Sequence, residues 1–294
     1  MIKGTSMGLI NVGLIIAILC ITNGVVAAYF SDSGLSIIAR GKGNAITADH
    51  DGIVTSSKNP AAVTTVTYPQ FKTYYSSHFG IIKNTSIAWG LPLNKRAAIA
   101  INIPAQLIEN IQKRDIDGSY IGNFNDYLVV PMISIGYVWK DIAFGTSINY
   151  RYHQIDSETG TGTAINMGLR YARSRISLGA SINNLGKQVN WSTGRQETYL
   201  PTSHMGVMVH FNTQSVLADV DFDHNNQNFI VNLGYELILY ERLKLSVGIS
   251  DLTARFQYGG GINLYLSQKM IVHYEYTQHR YLGQQHSAGV TIGY

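Results

Sequence analysis

From about Gln70 to Tyr294 the chain alternates apolar residues with polar or small ones at a period of two. In RISLGASINN, Ile176, Leu178, Ala180 and Ile182 share one face, and Ser177, Gly179, Ser181 and Asn183 the other. LKLSVGIS sets Leu243, Leu245, Val247 and Ile249 against Lys244, Ser246, Gly248 and Ser250, and IAFGTSINYRYH continues the theme. Successive side chains of a strand point to opposite sides, so this period is that of half-buried β-strands. No segment in this region sustains a helical period, and the fold class is all-β. The pattern predicts fourteen strands, near 70–79, 84–93, 96–111, 129–139, 142–155, 162–173, 175–186, 202–211, 215–225, 228–239, 242–250, 255–266, 269–277 and 286–294. Connections after even-numbered strands are tight, whereas the longest, near 112–128, 187–201 and 278–285, follow odd-numbered ones. One end of the sheet therefore carries turns and the other loops.

Composition decides which β architecture this is. Only 14% of the 294 residues are charged, with 29 glycines and 19 tyrosines, against about 25% charged in ordinary soluble domains. The non-apolar faces are built from Gly, Ser, Asn and Thr rather than Lys and Glu, which suits a lumen better than a solvated sandwich face. Aromatic residues such as Trp139, Tyr150, Tyr152, Tyr240, Tyr274 and Tyr276 gather near strand ends, where interfacial girdles sit. The expected fold is a transmembrane antiparallel up-and-down β-barrel of about fourteen strands, surrounded by outer-membrane lipid. The last segment, HSAGVTIGY, puts Ala288, Val290, Ile292 and Tyr294 outward. A final strand pairing with the first would close the barrel and leave no edge in hydrocarbon. Many outer-membrane barrels end in such a strand, and Val290, Ile292 and Tyr294 are the candidate signal for the barrel-insertion machinery. The net charge of +4 is scattered in single lysines and arginines, without the basic stripe that nucleic-acid binding needs.

The N-terminus reads as a targeting segment: Lys3, then apolar Leu9 to Ile21, then Val26-Ala27-Ala28. The expected organisation is a signal peptide over 1–28, a plug segment over 29–66 and a barrel over 67–294. Cys20 falls within the first of these, so no disulfide framework is expected.

Residues 33–64 do not alternate. A short glycine-containing stretch, Arg40 to Ala45 with Gly41 and Gly43, leads to Asp49 and Asp51 and then to Asn59-Pro60-Ala61. With SINNLGKQV at 181–189 and Leu200-Pro201, this order resembles the PorV/PorQ family and its relatives among FadL-type channels. The resemblance implies a fourteen-strand barrel with its N-terminal segment folded inward as a plug. It implies a component or shuttle of a protein secretion system of the type IX kind, with secretion-system subunits or exported proteins as partners. The alternative is a FadL-like channel for hydrophobic small molecules, with such a molecule as ligand. Proline restricts the residue before it to extended geometry, so the triplet is expected where the plug turns into the wall. Lys58 stands where the family often has an aromatic residue, and Ala62 where glycine is usual.

Alternation puts Asp219, Asp221 and Asp223 on one inward face, and Glu236 and Glu275 likewise. Buried charges need partners, and inward Arg151, Arg170 and Lys244 are the expected ones, forming a charge network across the lumen. An EF-hand fails, because the glycine and glutamate positions counted from Asp219 are His224 and Ile230. No nucleophile elbow, zinc motif or phosphate loop occurs. No catalytic residues, metal or cofactor are expected, and the chain reads as a non-enzyme.

Overall fold

The structure, a computed structural model, describes residues 39–294 apart from 79, 253–255 and 280–282. The expected signal peptide lies outside the described residues. The strands are β1 (Gln70–His78), β2 (Ile82–Pro92), β3 (Ala97–Arg114), β4 (Tyr120–Val129), β5 (Met132–Trp139), β6 (Ile142–Ile155), β7 (Glu158–Arg173) and β8 (Ile176–Trp191). They continue as β9 (Gln196–Thr198), β10 (Thr202–Phe211), β11 (Gln214–Asp223), β12 (Asn228–Leu239), β13 (Leu243–Ser250), β14 (Gln257–Ser267), β15 (Met270–His279) and β16 (Gly283–Gly293).

These make fourteen staves. β4 and β5 are two arms of one stave, parted at Val130-Pro131, and both pair with β3 and β6. Proline has no N–H to give the ladder, but Val130 N–H donates to Pro104 O and Tyr150 N–H to Pro131 O, so the break stays bonded. β9 pairs only with β8 and is a loop strand. β1 pairs antiparallel with β16, from Gln70 opposite Gly293 to His78 opposite Gln285, which closes the barrel. Tyr294 carries the seam further: its N–H donates to Pro69 O, and its hydroxyl accepts from the Trp89 indole.

The outer face is apolar. Ile87, Ile133, Ile148, Leu178, Val220 and Val247 all stand open on it, and their strand neighbours Ser86, Ser134, Ser147, Ser177, Asp219 and Ser246 are buried inside. This inversion on a closed sheet is that of a bacterial outer-membrane barrel. Among the described residues no helix is long and apolar enough to cross a membrane; the staves cross instead. The turn end falls as the alternation requires. Lys140, Ser174, Asn212, Tyr240 and Glu241 take positive φ in the tight turns. By the rule for bacterial barrels this is the periplasmic end.

Two expected boundaries are corrected. Most of the loop expected over 112–128 is strand: β3 and β4 run on as a hairpin with only 115–119 between them. Much of 187–201 is likewise taken by β8 and β9. Above the bilayer both faces meet water, so the lipid-against-lumen alternation that marks a stave disappears while the backbone pairing persists.

The interior is filled by residues 39–66, and the wall is shaped to receive them. Inward glycines meet across staves: Gly136 opposite Gly145, Gly145 opposite Gly168, Gly179 opposite Gly206, and Gly234 opposite Gly248. A Cβ at Gly145 would stand 2.3 Å from Ala61 N, at Gly179 2.1 Å from Thr47 O, and at Gly248 2.1 Å from Gly43 N. No side chain fits in that space, so the belt lets backbone lie on backbone. Gly145→Ala should therefore cost about 1–3 kcal/mol through overpacking. The expected readout is faster trypsin cleavage at Lys58 in a barrel that still shows its heat-dependent gel shift.

Candidate functional site

The inward segment is made of three short helical turns, Arg40–Lys42, Gly52–Thr55 and Pro60–Thr65. Its first half, 39–51, lies on charged staves. Lys42 Nζ reaches Asp49 Oδ2 at 2.6 Å and Glu236 Oε1 at 3.0 Å, and Lys244 Nζ meets the same Glu236 oxygen at 2.8 Å. Gly41 N–H donates to Glu275 Oε2 at 3.1 Å. Gly43 is left-handed at φ 62, and a Cβ there would stand 2.4 Å from Ile249 O and 2.5 Å from Leu233 O. Conformation and space both demand glycine.

Lys58 is the second anchor. Its Nζ lies 3.0 Å from Asp219 Oδ2 and 2.9 Å from Asp221 Oδ1, and it also donates to Asn44 O at 2.9 Å. Thr47 donates to Asp219 Oδ2 through its N–H and its hydroxyl. His204 Nδ1 and Asn232 Nδ2 complete the shell of Asp221 at 2.7 and 2.8 Å. Asp51 pairs with the inward Lys72 of β1.

The expected network is thus real as a set of inward charges but corrected in its pairing. Asp219 and Asp221 pair with Lys58 of the inward segment, not with Arg151, Arg170 or Lys244. Arg170 donates to Ala48 O at 3.3 Å and Ser177 Oγ at 3.2 Å, and Arg151 lies 3.4 Å from His153 Nδ1. Asp223 accepts from Asn225 and Asn226 in the following turn. Sequence reasoning missed Lys42, Lys58 and Lys72. Lys72 was legible from the phase of β1, and Lys58 stood out only as a departure from the family pattern.

The triplet is corrected too. Asn59 is extended, at φ −130 and ψ 102, as a residue before proline should be. It does not mark a plug-to-wall junction, since the wall begins at Gln70. Asn59 accepts from Ala61 N at 3.1 Å and donates to Thr47 O at 2.7 Å and Leu169 O at 3.0 Å. It caps the turn led by Pro60 and pins the centre of the segment to β7, with Ala61 wholly buried.

The second half, 52–66, lies on apolar staves. Ile53, Val63 and Val66 cluster with Ala88, Ala98 and Ala100 of β2 and β3. Above this cluster, toward the loop end, the inward positions of the β4–β5 stave are Met132, Val130 and Leu128, all buried. Ile108, and the opposed pair Ile111 and Phe124, continue the same side up the hairpin. Apolar positions thus line this side from the hairpin to the apolar half of the inward segment, with one interruption at Asp126, which faces inward opposite Ile108 and meets His153 Nε2 at 2.8 Å. Beside it the wall turns polar at once. Gln106, opposite Leu128, donates to Asn84 Oδ1 at 3.0 Å, and a chain of contacts continues through Ser76, His78, Arg40 and Gln285 across the closing seam. Val290, Ile292 and Tyr294 face outward at that seam.

No protein-family model matches the sequence, and no curated protein does. Among solved structures the fold is similar to the Pseudomonas putida toluene transporter TodX, at 12% identity and a TM-score of 0.65, over 88% of this chain and 98% of that one. It is similar to the Ralstonia pickettii toluene transporter TbuX, at 12% identity and 0.63, over 87% and 96%. A Pseudomonas aeruginosa FadL homologue matches at 9% and 0.61, over 87% and 98%. The FadL-like half of the expected resemblance fits these barrels. The PorV/PorQ half, with its secretion role and partners, finds no support in them.

Two outcomes follow from the ion pairs. Lys58→Met leaves Asp219 and Asp221 buried without their cation and should cost about 3–5 kcal/mol, read as a lowered midpoint of the heat-dependent gel shift. Burial alone would raise the Asp51 carboxyl, but Lys72 and Lys42 outweigh it and hold the group down at about 2. A depressed acid stabilises above its unfolded value of about 3.9 and loses that contribution as pH falls through the folded one. Pepsin, active at acid pH, should leave the inward segment intact at pH 4 and cleave it progressively as the pH is lowered from 3 to 2.

Proposed function

We propose that the protein is an outer-membrane channel for small hydrophobic molecules. The observation that carries this reading is the apolar track on the inner face of β3–β5. It leads from the loop-end hairpin past Leu128, Val130 and Met132 to the apolar half of the plug. A hydrophobic solute descending it exchanges water for apolar wall, which is favourable at about 25 cal/mol per Å². The polar and charged staves opposite offer it no such gain. Likeness of fold to the toluene transporters supports a channel of this class.

The two halves of the plug have unequal holds. A hydrophobic cargo can replace the contacts of Ile53, Val63 and Val66 with contacts of its own, whereas nothing it carries replaces Lys58 on Asp219 and Asp221. The stretch at 60–66, with Ile53 beside it, is therefore the part that yields, with 39–51, Lys58 and Asn59 as its fixed base. The displaced part moves as a hinged element within a closed wall.

Uptake of a radiolabelled monoaromatic hydrocarbon into cells depleted of other channels tests the proposal. Leu128→Asp places a charge in the track without touching the plug. It should cut uptake at least about tenfold, the equivalent of about 1.4 kcal/mol, with the gel shift unchanged. Undiminished uptake through a folded L128D barrel would sink the proposed route.

A further inference from the structure

The tight-turn rim of the barrel carries a ring of cations that are in no ion pair among the described residues. Lys95 and Arg96 lie between β2 and β3, Lys140 between β5 and β6, Arg175 between β7 and β8, Arg242 between β12 and β13, and Lys269 between β14 and β15. Arg173, at the end of β7, adds to them. Five of the six tight turns are basic, and only Asn212-Thr213 is not. Asp141 and Glu241 are the acids of these turns. All of the rim cations are exposed, and among the described residues none is in an ion pair.

The opposite end differs. Lys83 pairs with Glu109, Lys113 with Asp156, and Arg195 with Glu197. Arg114 donates to Gly118 O and Gln112 Oε1. In the lumen Lys42, Lys58, Lys72 and Lys244 are all paired. Among the described residues, the exposed cations without an acid partner thus gather at one rim, and at the other only Arg114 lacks one. They form a ring round the barrel, where a single protein partner would call for a patch. They also sit among the girdle aromatics: Lys140 Nζ lies 5.0 Å over the Trp139 ring, and Tyr240 precedes Glu241-Arg242 in its turn. Aromatic rings at a strand end mark the depth of lipid headgroups, and Lys and Arg at that depth are drawn to anionic ones.

We infer that this rim binds the anionic phospholipid headgroups of the periplasmic leaflet as an annulus. The ring holds the barrel at a fixed depth, and its counter-charges are supplied by lipid phosphates.

The test uses the full chain refolded into vesicles of phosphatidylcholine alone and of equimolar phosphatidylcholine and phosphatidylglycerol. The midpoint of the heat-dependent gel shift should rise by several degrees in the anionic vesicles at low salt, and the rise should vanish at high salt. The variant K95Q/R96Q/K140Q/R175Q/R242Q/K269Q should lose that rise while matching the native protein in phosphatidylcholine. K83Q/K113Q/R195Q, at the other rim, should keep it. Should the sixfold variant not fold, K95Q/R96Q and K140Q/K269Q each report a partial loss. A native protein indifferent to phosphatidylglycerol overturns the inference, as does a rise that persists in the rim variants or disappears in the loop-end control. An acidic protein as the true partner gives the first of these outcomes.

Discussion

A backbone N–H or C=O left unpaired in hydrocarbon costs several kcal/mol, and everything else in this molecule follows from avoiding that cost. The pairing of β1 with β16 removes the edge, and the hydrogen bonds from Val130 to Pro104 and from Tyr150 to Pro131 keep even the proline break satisfied. A closed sheet in lipid then needs an apolar outside, which leaves the polar alternates facing in. Such a lumen cannot be filled by hydrophobic packing alone. It must be filled by something that satisfies polar groups and charges.

The inward segment does this in two ways. Over 39–51, and at Lys58, it supplies lysines to wall carboxylates, so that acids on β11 and β12 are paired across the lumen rather than along it. Over 52–66 it meets alanine-lined staves and packs by apolar contact. The glycine belt serves both halves, because removing side chains from one level of the wall lets the segment's backbone settle against it. Breaking a buried ion pair leaves a charge in a poor medium, whereas apolar contacts can be exchanged for others of like kind. Under the proposed function this difference makes one side of the inward segment fixed and the other exchangeable, and the apolar positions of β3–β5 lead to the exchangeable one.

Much of this was legible in the sequence. A period of two, few charges and an even count of strands with turns at one end fix the barrel, because lipid and lumen impose opposite demands on successive residues. The phase of each stave also gave the inward carboxylates, down to Asp219, Asp221, Glu236 and Glu275. The hairpin above the membrane was missed because the demand that writes the alternation stops at the bilayer surface.

The pairing was beyond that reading. Alternation says which face a residue is on and nothing about what lies across the lumen, so Lys42 and Lys58 could not be matched to acids some 160 to 200 residues away in sequence. Asn59-Pro60-Ala61 was recognisable as a fixed point, yet its place against β7, away from any plug-to-wall junction, depends on how the segment threads the closed barrel. The sequence by itself determined the wall, since each residue there answers to its immediate medium. Only the tertiary structure decided the anchorage of the inward segment, since those partners are brought together by closure of the sheet.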